Sequence, residues 1–327
     1  MYSALIIDTS NFYMRAYSVG GSMTNKMEDG STLVTGGIYT FLRMVKSLEN
    51  RFLEPDGEVY FLFDNSHSGI DRRKEIDPEY KSNRTKKDDN FYRSMDILQT
   101  ILLNYKDNWF CVKKKGYEAD DLVYPFITEF ANRQILLVSN DLDWFRGISN
   151  RVHVAKYEKA PGADRTDYVI YDPKLFFERM GFRASIPSMI LYKSFRGDGS
   201  DNIPAGVPGI RTEALNYIIQ NCSCVAEVLK KLDSLDEVSD TFKQRIRDNK
   251  ARLFLNEKLV SYQEISFEEL KEDIYRCEFH PRVLHSLYKS LGFQIGKIDP
   301  RVQQFFVKET APITNKNFFQ RERVKRV

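Results

Sequence analysis

Three short apolar runs, each followed within three residues by an aspartate, constrain this chain more than any other feature. Ala4-Leu5-Ile6-Ile7 ends at Asp8, Val59-Tyr60-Phe61-Leu62-Phe63 ends at Asp64, and Gln134 to Val138 feeds Asp141. Such runs, with no polar alternation, read as strands buried on both faces. Between them the apolar residues recur at helical spacing, as in Ile38, Phe41, Leu42, Val45 and Leu48. Met95 to Leu103 and Asp120 to Phe130 read as further helices, Trp109 to Val112 as a further strand, and the residues after Asp8 as a polar turn. Strands alternating with helices predict an α/β fold with a mostly parallel central sheet covered by helices on both faces. In open sheets of this kind a ligand sits beyond the carboxyl ends of the strands. Asp8, Asp64 and the Asp141/Asp143 pair are therefore expected along one edge.

From about Pro173 the helical pattern takes over. The segments 175–180, 188–195, 213–219, 226–232, 242–248 and 282–291 are the candidates. With 327 residues the chain can hold an α/β unit and a helical region. The expected division is an α/β core over 1–180, with a basic element near 66–95, a helical region over 181–300, and a basic tail over 301–327. The segment Ala311 to Val327 lacks core periodicity and is expected to be mobile. Net charge is only +3, because 49 basic residues nearly cancel 46 acidic ones. Any partner is therefore indicated by distribution rather than by the total. Cys111, Cys222, Cys224 and Cys277 have no paired C-x₂-C spacing, which favours reduced thiols. The four histidines, including His67, are scattered and make no ligand set. The N-terminal apolar run is too short for a signal peptide and no stretch reaches membrane-span length, so a soluble cytoplasmic protein, expected to be monomeric, is the reading.

Nine carboxylates fall in five clusters: Asp8, Asp64, Glu118/Asp120/Asp121, Asp141/Asp143 and Asp198/Asp201. Two unit charges about 4 Å apart at an effective dielectric of about 20 repel by about 4 kcal/mol. Convergence of so many acids requires cations, and oxygen-only ligands favour hard divalent ions such as Mg²⁺ or Mn²⁺. Taken alone, Glu118 to Asp121 is more simply the acidic first turn of a helix. Matching acids on three strand ends weigh against that simpler reading. Arg72 to Lys87 carries seven basic residues in 16 positions and follows Asp64, which favours a DNA-facing element over a merely solvated loop. Lys113-Lys114-Lys115 either extends that patch or blunts an edge strand. Gly206-Val-Pro-Gly209-Ile between two helical segments has the form of a helix-hairpin-helix, whose glycines let backbone N–H groups approach phosphate.

In order and spacing these pieces resemble the flap endonuclease and 5′→3′ exonuclease family, over roughly residues 1–300. The matching segments are Ile7-Asp8 with Arg15, Phe63-Asp64, Arg73 with Tyr80-Lys81 and Arg84, Gly116 to Asp121, Ser139 to Asp143, and Gly197 through Gly209. The resemblance implies a PIN-like core, a helical arch and a hairpin that grips duplex, with a K⁺ ion on the hairpin carbonyls. It implies Asp8, Asp64, Glu118 and Asp120 around a first Mg²⁺. Asp121, Asp141, Asp143, Asp198 and Asp201 would surround a second, and Mn²⁺ would substitute. Lys81 and Arg84 would contact the scissile phosphate and share catalysis with Asp64 and Asp141. Arg15, Arg72, Arg73, Tyr80, Lys86, Lys87, Gly206, Gly209 and Arg211 would complete the DNA-binding set. Implied substrates are branched or nicked DNA and RNA–DNA hybrids, as in primer removal. A sliding clamp or single-strand-binding protein is the implied partner of the tail. Three positions depart from the family pattern: Thr9 follows the first aspartate in place of a smaller residue, Met14 replaces an aromatic, and Arg211-Thr212-Glu213 follows Gly209-Ile210 where Gly and then Lys are usual.

The implied reaction is two-metal phosphodiester hydrolysis leaving a 5′-phosphate and a 3′-hydroxyl. The rival readings are a non-catalytic DNA-structure binder, a related small α/β ribonuclease and a structural interaction protein. An inactive relative should have lost several of the nine acids. The ribonucleases lack a hairpin bearing Asp198 and Asp201.

Overall fold

The computed structural model describes residues 1–65 and 68–309. Nine strands lie in chain order: β1 (Tyr2–Asp8), β2 (Thr24–Lys26), β3 (Thr32–Val34), β4 (Leu53–Leu62), β5 (Trp109–Val112), β6 (Ile135–Val138), β7 (Val152–Lys159), β8 (Thr166–Tyr171) and β9 (Ile274–Arg276), counted among the described residues. Seven form one sheet in the order β8-β7-β6-β1-β4-β5-β9, and β2 and β3 form a separate hairpin. The pairs β7–β6, β6–β1, β1–β4 and β4–β5 are parallel, while β8 and β9 pair antiparallel at the two edges. The expected α/β fold with a mostly parallel sheet is what the chain adopts.

The apolar strands earn their burial on both faces. Along β1, Ala4 and Ile6 pack into one core and Leu5 and Ile7 into the other; along β6, Ile135 and Leu137 alternate in the same way with Leu136 and Val138. One core includes the helix Gly36–Phe52 through Ile38, Phe41, Leu42, Val45 and Leu48. The other joins the sheet to the C-terminal helices through Phe195, Val207, Leu215 and Leu253.

Three local readings differ from the structure. The residues after Asp8 form a helix, Thr9–Gly20, rather than a turn, because the Asp8 carboxylate caps it by accepting the Asn11 N–H. Glu118 is irregular and Ala119 to Leu122 are turns, so the helix begins only at Val123. Pro125 sets that start, since proline has no N–H to give and fits only a first turn. The helical C-terminal part returns a strand, β9, to the β5 edge. Lys114 pairs there with Asp273 at 2.8 Å.

Chain order places the site. The sheet grows outward from β1 through β4 to β5, then crosses back to β6 on the other side of β1. That reversal opens a crevice at the carboxyl ends of β1 and β6. Asp8 ends β1 level with Leu62 of β4, and Val138 of β6 lies level with Ile7. Asp8, Asp64 and Asp141 therefore share one rim.

Candidate metal centre

The rim encloses a cavity of about 210 Å³ lined by Asp8, Asp64, Glu118, Asp120, Asp141, Asp143 and Asp201, with Lys81, Arg84 and Met14 among its other walls. Its acids are aimed by short local bonds. Asp8 accepts the Asn11 N–H at 3.1 Å and the Ser139 hydroxyl at 2.8 Å. Asp64 accepts the Ala119 N–H at 2.9 Å, and Asp141 accepts the Asp143 N–H at 3.0 Å.

The remaining wall comes from the loop after the helix Ile186–Arg196. Gly197 turns the chain there at φ 75°, and a Cβ would lie 2.4 Å from the Ile203 carbonyl oxygen. Asp198 and Ile203 then exchange backbone bonds of 2.7 and 2.8 Å, which closes a tight loop holding Asp198 and Asp201. The basic segment docks on that loop. Lys81 N–H donates to the Asp201 carbonyl at 2.9 Å, and Asn202 Nδ2 donates to the Glu79 carbonyl at 2.8 Å. Lys81 takes a left-handed backbone at φ 54°, and its ammonium reaches Glu118 and, at 3.8 Å, Asp201. Arg84 bonds Asp201 at 2.7 Å.

Burial and like charges shift these acids. Asp8 is raised well above the usual carboxylate range by burial and by Asp64. Burial lifts Glu118 to about 7, with Asp120 adding and Lys81 opposing, and burial with Asp143 lifts Asp141 to about 6. Asp143 goes the other way, because Arg146 and Lys193 outweigh its burial. The donors are all oxygen, and one oxygen from each of Asp143, Asp198 and Asp201 lies within 4.8 Å of the others. Hard divalent ions suit such a donor set. Burial is the largest cause of the raised pKa values of Asp8, Glu118 and Asp141, and a cation bound nearby would favour their charged forms.

Not every expected site residue faces the cavity. Asp198 is not in its lining, though one of its oxygens lies within 4.8 Å of Asp143 and Asp201, and neither is Asp121. The Asp121 carboxylate bonds Arg73 at 3.0 Å and the Gln263 N–H at 2.8 Å, and the residue is 1% exposed. Arg73 and Tyr80, expected to face DNA, are buried. The guanidinium pairs with Glu118 and Asp121, while the Tyr80 hydroxyl bonds Asp201 at 2.9 Å and Glu118 at 3.2 Å. Glu118 with Asp121 draws Arg73 inward, and Glu118 with Asp201 holds Tyr80. Removing one partner of a buried ion pair strands the other. Arg73→Met is expected to lower stability by about 3–5 kcal/mol in urea unfolding, and a loss below about 1 kcal/mol would return Arg73 to the surface role.

Arg15 also lies apart from the cavity, with its guanidinium 4.1 Å above the Tyr157 ring and bonded to the Tyr168 hydroxyl at 2.5 Å. Gly206 is buried, and a Cβ there would lie 2.2 Å from the Ser194 carbonyl oxygen and 2.7 Å from Leu253. It serves helix packing, so Gly206→Ala should cost about 1–3 kcal/mol by overpacking, read as a lowered Tm. Arg72, Lys86, Lys87, Gly209 and Arg211 are exposed. Of the basic tail, residues 310–327 lie outside the described residues, as does His67.

Two cations were not foreseen. Lys193 Nζ lies 2.6 Å from Asp143, 2.7 Å from Asp198 and 3.9 Å from Asp141. Arg146 pairs with Asp143 and, at 3.5 Å, with Asp120. A single charge inside an apolar stretch, as in Leu191-Tyr192-Lys193 and Trp144-Phe145-Arg146, is the signal that marks them.

A family model described as "5'-3' exonuclease, N-terminal resolvase-like domain" matches residues 3–181. The chain belongs to this 5′→3′ exonuclease family. It is 25% identical over 291 residues to a 5′-3′ exonuclease of Mycoplasmopsis pulmonis, covering 87% of this chain and 89% of that one. It is also 25% identical over 294 residues to DNA polymerase I of Caldicellulosiruptor bescii, covering 89% of this chain but only 32% of the polymerase. Among solved structures, the bacteriophage T5 D15 protein co-crystallised with metal ions matches with a TM-score of 0.56 at 18% identity, covering 94% of this chain and 97% of that one. Human GEN1 bound to Holliday junction DNA matches at a TM-score of 0.57 and 11% identity, covering 99% of this chain and 78% of that one. These two share its fold. No described helix is long and apolar enough to cross a membrane.

Proposed function

We propose that the protein is a structure-specific 5′ nuclease, acting as 5′→3′ exonuclease and flap endonuclease on branched or nicked DNA and RNA–DNA hybrids, with primer removal as its role. The observation that carries this reading is the convergence of acids from β1, β4 and β6, the 198–201 loop and the 118–120 segment on one cavity that also admits Lys81 and Arg84. Membership of the exonuclease family supports it.

Asp8, Asp64, Glu118 and Asp120 would hold one Mg²⁺, and Asp141, Asp143, Asp198 and Asp201 another, with Mn²⁺ as substitute. When bound, such ions lower the pKa of water and stabilise a leaving oxygen. The chain's own residues do the rest. Lys81 and Arg84, held at the mouth by the 198–202 loop, are placed to neutralise charge that builds on the non-bridging phosphate oxygens. Attack of water on phosphorus breaks the bond to the 3′-oxygen, so the products carry a 5′-phosphate and a 3′-hydroxyl. Arg72, Lys86 and Lys87 would track the DNA backbone outside the cavity. Met14 offers a thioether at the cavity wall, where the family resemblance implies an aromatic ring.

Domain limits of 1–180, 181–300 and 301–327, and a clamp or single-strand-binding partner for the tail, belong to the same proposal. The deciding experiment is cleavage of a 5′-labelled flap substrate with Mg²⁺ and with chelator. Short 5′ products at the branch point that vanish with chelator are expected. Intact substrate with Mg²⁺ and Mn²⁺ alike would refute the reading.

A further inference from the structure

Arg146 stands behind the carboxylates and is not part of the cavity lining. It belongs to the 3₁₀ turn Leu142–Gly147, and its side chain is 2% exposed. Its Nη2 bridges Asp143 and Asp120, which fall in different halves of the proposed metal set. Its Nε donates to the Asp143 carbonyl at 2.7 Å, so the guanidinium is tied to its own turn. On the far side, Nη1 and the Tyr124 hydroxyl are buried with no hydrogen-bond partner among the described residues. Its ion pairs are with the acids, and the guanidinium carbon lies 6.0 Å from the centre of the Tyr262 ring.

Lys193 and Arg146 share Asp143 but differ in freedom. Lys193 contacts Asp143 and Asp198, two of the three acids whose oxygens converge, as a compact ammonium on a flexible four-carbon stem, although its side chain is itself only 4% exposed. Arg146 cannot deprotonate in a protein and is fixed by its backbone bond. It therefore stays charged beside both halves of the centre, whatever else binds there.

We infer that Arg146 is a positioning residue that builds a permanent positive charge into the metal centre and so weakens divalent-ion binding in the DNA-free enzyme. Its guanidinium fixes Asp143 and Asp120 relative to each other while competing with any ion for their charge. A bound phosphodiester adds negative charge at the cavity mouth and offsets that competition. Ion occupancy and substrate binding then reinforce each other, as linkage requires. This inference rests on reading the acids as metal ligands.

The test is Mn²⁺ binding to the DNA-free full chain, followed by electron paramagnetic resonance, for wild type, Arg146→Gln and Arg146→Lys. Wild type should bind saturably, Arg146→Gln about tenfold more tightly because a nearby unit charge is gone, and Arg146→Lys within about threefold of wild type. Should the Gln variant fail to fold, Arg146→Met, which leaves no unpaired donor, carries the same expectation. A merely structural arginine would loosen the site on removal, so unchanged or weaker binding in the neutral variant overturns the inference. Absence of saturable binding to wild type would instead overturn the metal reading, and this inference with it.

Discussion

Asp141→Asn should abolish flap cleavage while leaving DNA affinity nearly unchanged. Asp141 follows β6 on the rim that also carries Asp8 and Asp64, and it is oriented by the Asp143 N–H. Asparagine keeps the shape and the hydrogen-bond acceptor but removes the charge that would hold a divalent ion. The expected loss in single-turnover rate is on the order of a thousandfold or more, comparable to removing a preorganised charge-stabilising group elsewhere. Affinity should survive because exposed cations such as Arg72, Lys86 and Lys87 lie outside the cavity and would carry backbone contacts. Asp64→Asn is expected to behave in the same way. Full turnover by both variants in Mg²⁺ would remove these residues from the metal site.

Lys81→Ala is the second large effect. Its ammonium is buried against Glu118 and lies 3.8 Å from Asp201, at the cavity wall rather than on an open face. Charge stabilisation at such a place is worth far more than one phosphate contact among many. The expected outcome is a fall in single-turnover rate of about a hundredfold or more, with dissociation constants for flap DNA changed by less than about threefold. Loss of affinity with an unchanged rate would make Lys81 a binding residue only.

The strands that carry the strand-end acids were legible because burial on both faces leaves an unbroken apolar run. β7 and β8 were not, since Lys156 and Glu158 break the apolar run of β7 and the edge strand β8 opens on Thr166-Asp167. The helix Thr9–Gly20 was hidden by Thr9-Ser10-Asn11, polar residues that read as a turn and in fact follow a helix cap. Seven of the nine acids line one cavity, while Asp121 and Asp198 stand outside its lining, and the counter-cations Arg146 and Lys193 were not read from the sequence. Arg73 lies in a run of surface-like charge, yet it turns inward because Glu118 and Asp121 would otherwise be buried without a partner. Which cation of a basic segment does so depends on tertiary geometry: Arg72, next to Arg73, is exposed.

The claim beneath all of this is that separate strand ends build one centre for two divalent ions. Anomalous scattering from crystals soaked in Mn²⁺ tests it most directly. Two peaks should lie in the acidic cavity, one among Asp8, Asp64, Glu118 and Asp120, the other among Asp141, Asp143, Asp198 and Asp201. Manganese bound only elsewhere on the surface, with that cavity free of anomalous density at saturating ion, would contradict the account.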